Sequence, residues 1–479
     1  MYLLSRTNSK NGRGRKRPPR SRYGVVYLFA LLMLALMAVM TVRLAASTNL
    51  NLSRSRHMND SLSAQLSAES GLQFMLVNLS KLRMPSATDS TTFMTKLSEG
   101  LANTFDGTSN VSGQAVSCSG STISVPAITA GALCFTCSIS LLSPDADGAP
   151  RCRLTSIGSC GLSSRTVSLD MKMVDVSADA FNYAIASRGG ISVSGNAEIG
   201  GMTSPDEASI LSISQEAFAI ALGGSASVGG DLYLTADGED SVHLQGGGLS
   251  VGGSSDITEI VDNHVHRLPE EPDFPELDLS PFEALATTVI DSSTNLDGPD
   301  LVVNNARIAA GTNPEFKQDT VINGILYIES PNTVTFKAKA VLNAIVVTED
   351  ATGLPGPNEL LFKGQVTAPG VEALPDTPEF QTVKTHSGTV VLAPGFDVQF
   401  CGSVNSINGT IAADQFSFLG NSNVSGEIAG TIIGLSSKNL VMQGNATILV
   451  NKQDSNDTPA GFVHFKGLTV TAGTYSEGN

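Results

Sequence analysis

The sequence predicts a mainly β protein with a long N-terminal α-helix: a membrane-anchored module of one helix and a small antiparallel sheet, followed by a parallel β-helix, or solenoid. Three observations predict this fold class. An apolar run at 25–42 is long enough to span a membrane as a helix. Residues 166–173 alternate between apolar and polar, as in a half-buried strand. After residue 180, short strand-like segments ending in glycine recur 23 or 24 residues apart, a period typical of solenoid rungs.

The apolar run from Val25 to Val42, VVYLFALLMLALMAVMTV, contains no charged residue and would form a helix about 27 Å long. The leader before it, residues 1–24, carries eight Lys or Arg and no Asp or Glu. Because positive flanks stay in the cytoplasm, we expect a cytoplasmic N-terminus. No small-residue cleavage site follows the run, so it should remain as an anchor in the lipid bilayer. The predicted location is the inner or cytoplasmic membrane, crossed once, with the C-terminal body in the periplasm or at the cell surface.

The helical pattern resumes beyond the membrane segment. Leu72, Leu76, Leu79 and Leu82 lie near helical spacing and form one apolar stripe. Membrane segment and stripe together predict one helix of roughly 60 residues. Its extension is expected over 43–85, and Pro85 should end it.

Short motifs in this region have a specific order: Arg22-Tyr23-Gly24, then the apolar run from Val25, then AESGL at 68–72. The arrangement resembles the N-terminal region of PilX-type minor pilins of type IV pili and, more loosely, the minor pseudopilins of type II secretion. The resemblance implies that a prepilin peptidase cuts between Gly24 and Val25, and that the helix then packs with pilin or pseudopilin subunits in a filament. The fifth residue after that bond is Phe29, where major pilins carry glutamate and some minor members do not. The resemblance covers roughly residues 20–175.

Composition indicates an exported, β-rich body. Net charge is −16 and the leader contributes +8, so residues 25–479 carry −24. An acidic body argues against nucleic acid or an anionic membrane surface as a partner. The chain has 47 Gly and no Trp, a composition typical of many-turned β structure. Its 479 residues are too many for one ordinary domain.

Six cysteines are expected outside the cytoplasm, where disulfides are the default. Cys134 and Cys137 are three apart on a predicted strand, so they should face opposite sides and not bond each other. We expect two disulfides, with the fifth clustered cysteine free or joined to Cys401, and the connectivity stays open. A zinc site on the C-x-x-C is the less favoured alternative, because no second C-x-x-C is present. The candidates are Cys118, Cys134, Cys137, Cys152, Cys160 and Cys401.

Residues 86–176 are predicted as a cysteine-rich, pilin-like β head. A helix is expected at about 90–105, with cap candidates at 88–90. A Gly/Ser turn between Leu154 and Val167 indicates a hairpin.

Two stretches, 180–262 and 287–479, are predicted as solenoid. Inward residues such as Val228, Val251, Phe418 and Met442 should stack in columns, because one rung cannot bury its inner face alone. A β-sandwich of hairpins is the alternative. Between the stretches, 263–286 should be a linker or lateral strap, since 266–285 contains four prolines and six carboxylates.

Few residues suggest chemistry. His264 and His266 would share a strand face and could form two ligands of a metal site, but no third ligand is evident. Asp145-Ala146-Asp147-Gly148 resembles the start of a calcium loop without its later ligands, and a hairpin tip is the favoured interpretation. We therefore predict no catalytic residue, no cofactor and no metal, and a protein that is not an enzyme.

Three functions fit these patterns. The first is a minor-pilin-like or pseudopilin-like envelope protein that takes part in filament assembly, with the solenoid as a projecting head. The second is a membrane-stalked surface adhesin that binds glycans or proteins. The third, a polysaccharide-active β-helix enzyme, is disfavoured because sugar-binding grooves usually offer aromatic platforms, and the chain has no Trp.

Overall fold

The structure is a computed structural model that describes residues 23–130, 133–419, 426–451 and 458–478. It begins with helix α1 (Tyr23–Ser80), which is 58 residues and about 87 Å long. The predicted long N-terminal helix is confirmed, and it ends five residues before Pro85. Every residue from 24 to 59 is exposed, so only the second half of α1 contacts the rest of the protein.

Three further helices and 33 strands follow in the described residues. The helices are α2 (Phe93–Phe105), α3 (Ile257–Asn263) and α4 (Ser280–Glu283). The strands before the solenoid are β1 (Met84–Pro85), β2 (Ser117–Ser119), β3 (Thr122–Ala130), β4 (Leu133–Leu142), β5 (Arg151–Cys160) and β6 (Ser163–Val176). The first solenoid strands are β7 (Ile185–Ser187), β8 (Ile191–Gly195), β9 (Glu198–Gly201), β10 (Ile210–Ser212), β11 (Ile220–Gly223), β12 (Ser227–Val228), β13 (Leu232–Leu234), β14 (Val242–Gln245), β15 (Ser250–Val251) and β16 (Val265–Arg267). The later ones are β17 (Thr288–Ile290), β18 (Leu301–Ile308), β19 (Glu315–Phe316), β20 (Thr320–Ile328), β21 (Asn332–Phe336), β22 (Ala340–Thr348), β23 (Asn358–Phe362), β24 (Val366–Ala368), β25 (Thr389–Phe400), β26 (Val404–Asn408), β27 (Thr410–Phe418), β28 (Gly426–Ala429), β29 (Ile432–Gly434), β30 (Leu440–Gly444) and β31 (Thr447–Val450). The chain ends with β32 (Phe465–Val470) and β33 (Ser476–Gly478).

One face of α1 packs on an antiparallel sheet. Ala64, Ala68, Met75 and Leu79 on this face are buried, at the spacing of a single helical stripe. A Cβ atom placed on Gly158 of β5 would lie 2.2 Å from the carbonyl oxygen of Ala64. Glycine at 158 therefore lets the sheet approach the helix backbone.

The antiparallel sheet has the order β1-β32-β6-β5-β4-β3-β2, with β33 also on β6. The prediction of solenoid throughout 287–479 is therefore wrong at its end, because β32 and β33 complete the head. Leu468 of β32 joins the core beneath α1, which explains why this strand returns to the head. The solenoid is thus an insertion between β6 and β32.

Helix α2 covers another part of the same core. Phe93, Leu97, Leu101 and Phe105 recur every fourth residue and are buried. The helix begins three residues later than its expected start at 90. The carboxylate of Asp89 accepts backbone N–H groups just before the helix and holds that segment in a turn.

Strands β7–β31 pair in parallel along one stack, which excludes the β-sandwich of hairpins. The expected inward columns are confirmed: Val228 lies opposite Val251, Phe418 lies opposite Met442, and all four are buried. A column of nearly parallel rings runs along one side of the core, with centroids 4.6 to 5.1 Å apart. Its members are Phe316, Phe336, Phe362, Phe400 and Phe418.

The order of rungs in space differs from their order in the chain. The first rung, β7–β9, lies between β29–β31 on one side and β10–β12 on the other. Read along the stack, the chain runs from 288 to 450 and then from 185 to 267. The first and the last three-stranded rungs are therefore neighbours.

Residues 268–287 form a strap that carries the chain from β16 at one end of the stack to β17 at the other. Ten strand-to-strand steps at about 4.8 Å make this distance roughly 48 Å, which twenty extended residues can span. Phe274 and Phe282 of the strap are buried in an apolar cluster against the outer surface of the solenoid. The expected linker at 263–286 begins later, because α3 and β16 occupy most of 257–267.

Candidate functional site

The exposed half of α1 is the candidate functional site. Its apolar segment, 25–42, is not covered by any part of the chain that the structure describes, although a soluble domain would normally bury such a surface. The helix is long and apolar enough to cross a membrane. Since each backbone N–H within a helix bonds to a carbonyl of the same segment, this element can enter lipid without unsatisfied groups.

Gly24, the residue before the expected cleavage bond, lies in the first turn of α1. Among the described residues, apart from its chain neighbours and the backbone of its own helix, no heavy atom comes within 4 Å of the position that its Cβ would occupy. Val25 follows it and is exposed. A larger side chain at 24 therefore meets no other element that the structure describes. The basic leader before Tyr23 lies outside the described residues.

Between the membrane segment and the head, α1 is basic. Arg43, Arg54 and Arg56 are exposed, and the first acidic residue after the leader is Asp60. The insertion contrasts with this stalk, since 179–464 carries 35 Asp or Glu and 10 Lys or Arg, a net −25. The acidity expected from the whole-chain charge therefore belongs to the solenoid.

A second apolar face on α1 was not predicted from the sequence. Met58, Leu62, Leu66 and Val77 are 51–78% exposed. Leu62 and Leu66 each lie two positions, or about 200°, from a buried alanine, so they point away from the head. We call these four residues the outer stripe. The four-residue spacing of the first three is the signal that could have revealed it.

Head cysteines are kept apart by strand register. Cys134 lies opposite Ser159, so Cys160 points to the other side of the sheet. Cys137 lies opposite Ser156, four residues along β5 from Cys152, which is roughly 13 Å. This separation is too long for a disulfide.

All six cysteines are free thiols. The structure therefore contains neither of the two disulfides expected from the sequence, and these stay a prediction. Burial raises the pKa of Cys137 to about 11 and that of Cys152 to about 12. Cys118 and Cys401 are exposed and far apart in the chain. Zinc on the C-x-x-C gains no support, because the described residues contain no group of three His, Cys, Asp or Glu placed to hold a metal ion.

The two histidines share a partner that the sequence did not reveal. Asp231 meets His264 Nδ1 at 2.7 Å and His266 Nε2 at 2.9 Å. Both of its oxygens are used in these contacts, which tie β16 to the rung beneath it. Asp145 accepts the backbone N–H groups of Asp147 and Ala149, as expected for the tip of the hairpin between β4 and β5.

Comparison with known proteins adds little. A scan against protein-family models finds no match. A search of curated proteins finds no match either. Among solved structures, the chain is similar to the competence-associated pilin ComZ from Thermus thermophilus, at 13% identity and a TM-score of 0.23, over 88% of this chain and 97% of that chain. A TM-score this low supports no inference about fold or function.

Proposed function

We propose that this chain is a non-enzymatic, minor-pilin-like or pseudopilin-like subunit that takes part in assembling a filament of the type IV pilus or type II secretion kind. One observation carries the proposal. A single continuous helix has an apolar segment, 25–42, that no described part of the chain covers and a second half that packs on an antiparallel sheet. This division suits a subunit whose helix is stored in lipid and later packed among other helices.

In the stored state, residues 25–42 lie in the bilayer. The basic leader stays in the cytoplasm, and the head and solenoid lie in the periplasm or at the cell surface. The apolar segment is about 27 Å long, close to the thickness of the hydrocarbon core. Prepilin peptidase would cut between Gly24 and Val25 while the helix is in this position.

In the assembled state, the outer stripe contacts a helix of a neighbouring pilin or pseudopilin subunit. Met58 is 78% exposed and Leu62 57%, and burying such apolar area contributes roughly 25 cal/mol per Å². The stripe continues the exposed surface of the membrane segment along the same helix. One partner helix could therefore cover both without disturbing the head.

N-terminal sequencing of the mature protein tests the proposal. In cells with active prepilin peptidase we expect the chain to begin at Val25, and in cells without it to keep the leader. Gly24→Val should block the cut by crowding the peptidase, since the described part of the chain leaves that position open. Phe29→Leu, a conservative change beyond the bond, is the matched control and should be cut normally.

An intact leader on native protein from cells with active peptidase would contradict the proposal. The membrane-stalked adhesin would then account better for the same helix. A second measurement separates assembly from processing: Leu62→Glu should abolish co-purification with filaments while leaving cleavage unchanged. Val470→Glu, the same kind of change at another half-exposed position, should leave both unchanged.

A further inference from the structure

A pocket of about 390 Å³ lies on the outer surface of the solenoid, far along the chain from α1. Its floor comes from three neighbouring strands, β23, β25 and β27, and its wall is the loop 351–357. The loop contributes apolar surface from Leu354, Pro355 and Pro357, and Leu354 is half exposed. The strands contribute charged side chains.

Two carboxylates in this pocket face each other across adjacent strands. Glu359 of β23 lies directly opposite Asp397 of β25. Like charges in this position repel and destabilise the pair of strands. The Nζ atom of Lys438 contacts Asp397, whereas Glu359 has no ion pair or side-chain hydrogen bond within the described residues. The repulsion is therefore only partly neutralised.

A third carboxylate is buried at the same place. Asp414 of β27 is only 8% exposed, and its Oδ1 accepts the N–H of Gly395 at 2.9 Å. That N–H is presented by a bulge in β25, where the register shifts between Ala393 and Asp397. Among the described residues nothing donates to the other oxygen, Oδ2. Burial raises the pKa of Asp414. Oδ2 is not among the fully buried side-chain oxygens that lack a partner, so it opens to the pocket, where a donor on a ligand would complete its hydrogen bonding.

We propose that this pocket binds a hydroxylated organic ammonium ion, the chemistry of an amino sugar with a free amine. Three carboxylates against one lysine give a net charge of −2, which attracts a cation. The volume suits a molecule of one or two sugar rings and is far larger than a bare ion requires. Within the described residues no group of three ligands is placed to hold a metal. The apolar loop offers a surface for the carbon face of a sugar ring.

Isothermal titration of the full-length protein in detergent micelles tests the proposal. The probes are a β-1,4-linked trimer of glucosamine and the same trimer fully N-acetylated. We expect the glucosamine trimer to bind at least about tenfold more tightly, because acetylation removes the positive charge. Equal affinities, or no binding of either trimer, would overturn the proposal.

Matched variants locate the binding. Asp414→Asn keeps an oxygen for the Gly395 N–H and should weaken the glucosamine trimer about tenfold or more. Asp237→Asn removes the same charge from an exposed loop elsewhere on the solenoid and should change affinity less than about twofold. Glu359→Gln, at a partly buried position, should also weaken binding and serves where the change at Asp414 lowers the yield of folded protein. An equal loss in the Asp237 variant would show general attraction to an acidic surface and refute a built site.

Discussion

The head and the solenoid bury their apolar cores in different ways. The head closes its core with strands from distant parts of the chain, since β6 pairs with β32 from Val176↔Phe465 onward. The solenoid closes its core by repetition, each rung resting on the next. In an ordinary solenoid the chain would enter and leave at opposite ends. Here the first and last three-stranded rungs are neighbours, and the strap covers the length of the stack instead.

That arrangement explains how a solenoid fits inside a small sheet. Its two ends must meet where β6 and β32 lie side by side, and the permuted rung order brings them together. Arg83, just after α1, contacts Asp273 of the strap at 3.1 Å, and Lys466 of β32 pairs with Asp175 of β6. Insertion is tolerated in general where the termini of the inserted unit are close. The comparison predicts that damage to the solenoid should spread along rungs more readily than into the head.

Val251→Asp should cause the largest loss of stability, and this loss should be confined to the solenoid. It buries a charge without a partner in the column of Val251, Val228 and Ile199, at a cost of several kcal/mol. Hydrogen exchange followed by mass spectrometry should show lost protection in the rungs β10–β16. Protection in β4–β6 and in the second half of α1 should persist.

Equal loss in both regions would show that head and solenoid share one cooperative unit. Limited proteolysis offers a second test. A fragment ending near 176 would lack β32 and β33, so a stable head should retain a nicked but still associated C-terminal peptide.

Gly158→Ala should destabilise the head and leave the solenoid intact. The added methyl group would lie 2.2 Å from the Ala64 carbonyl oxygen and 2.3 Å from the Ala68 nitrogen, so helix and sheet must separate. We expect a loss of about 1–3 kcal/mol, seen as a lower midpoint of the head transition in chemical denaturation. Gly238→Ala in the solenoid is the control, since its φ is negative and its Cβ site is open. A shared decrease in both variants would point to a general effect of alanine.

Local patterns predicted much of this fold. The 58-residue helix follows from an apolar run and a helical stripe, and the inward Val228 and Val251 follow from alternation and a repeated glycine. The pairing of β32 with β6 could not be predicted, because nearly 290 residues separate the partners and no local pattern marks the return. The permuted rung order has the same cause. For the candidate site, Gly24 and Val25 came from a short motif, whereas the outer stripe needed the knowledge of which face the head covers.

Asp414→Asn should slightly increase the stability of the protein at neutral pH, whereas the two preceding variants should decrease it. Because the pKa of Asp414 is raised in the folded state, the folded protein holds this proton more tightly than the unfolded chain. The stability from Asp414 is therefore present at low pH and lost as the pH rises through the raised pKa. At pH 7 the variant should be more stable than the native protein by less than about 1 kcal/mol, and at pH 3 the two should agree. Thermal melts at both values measure this, and a less stable variant at pH 7 would contradict the linkage.

A reducing agent should have the smallest effect of all. A disulfide typically contributes about 2–4 kcal/mol, so two of them in the head would make its melting point depend strongly on reductant. The register separates the head cysteines, and all six are thiols. We therefore expect the same melting point with and without reductant.

In the folded protein iodoacetamide should modify Cys118 and Cys401 quickly, because both are exposed. Cys137 and Cys152 should stay unmodified at neutral pH, because burial holds their pKa values near 11 and 12 and keeps the reactive thiolate scarce. A cysteine pair that resists alkylation until it is reduced would show that the head forms a bond that this register does not allow, and β4 and β5 would have to pair differently.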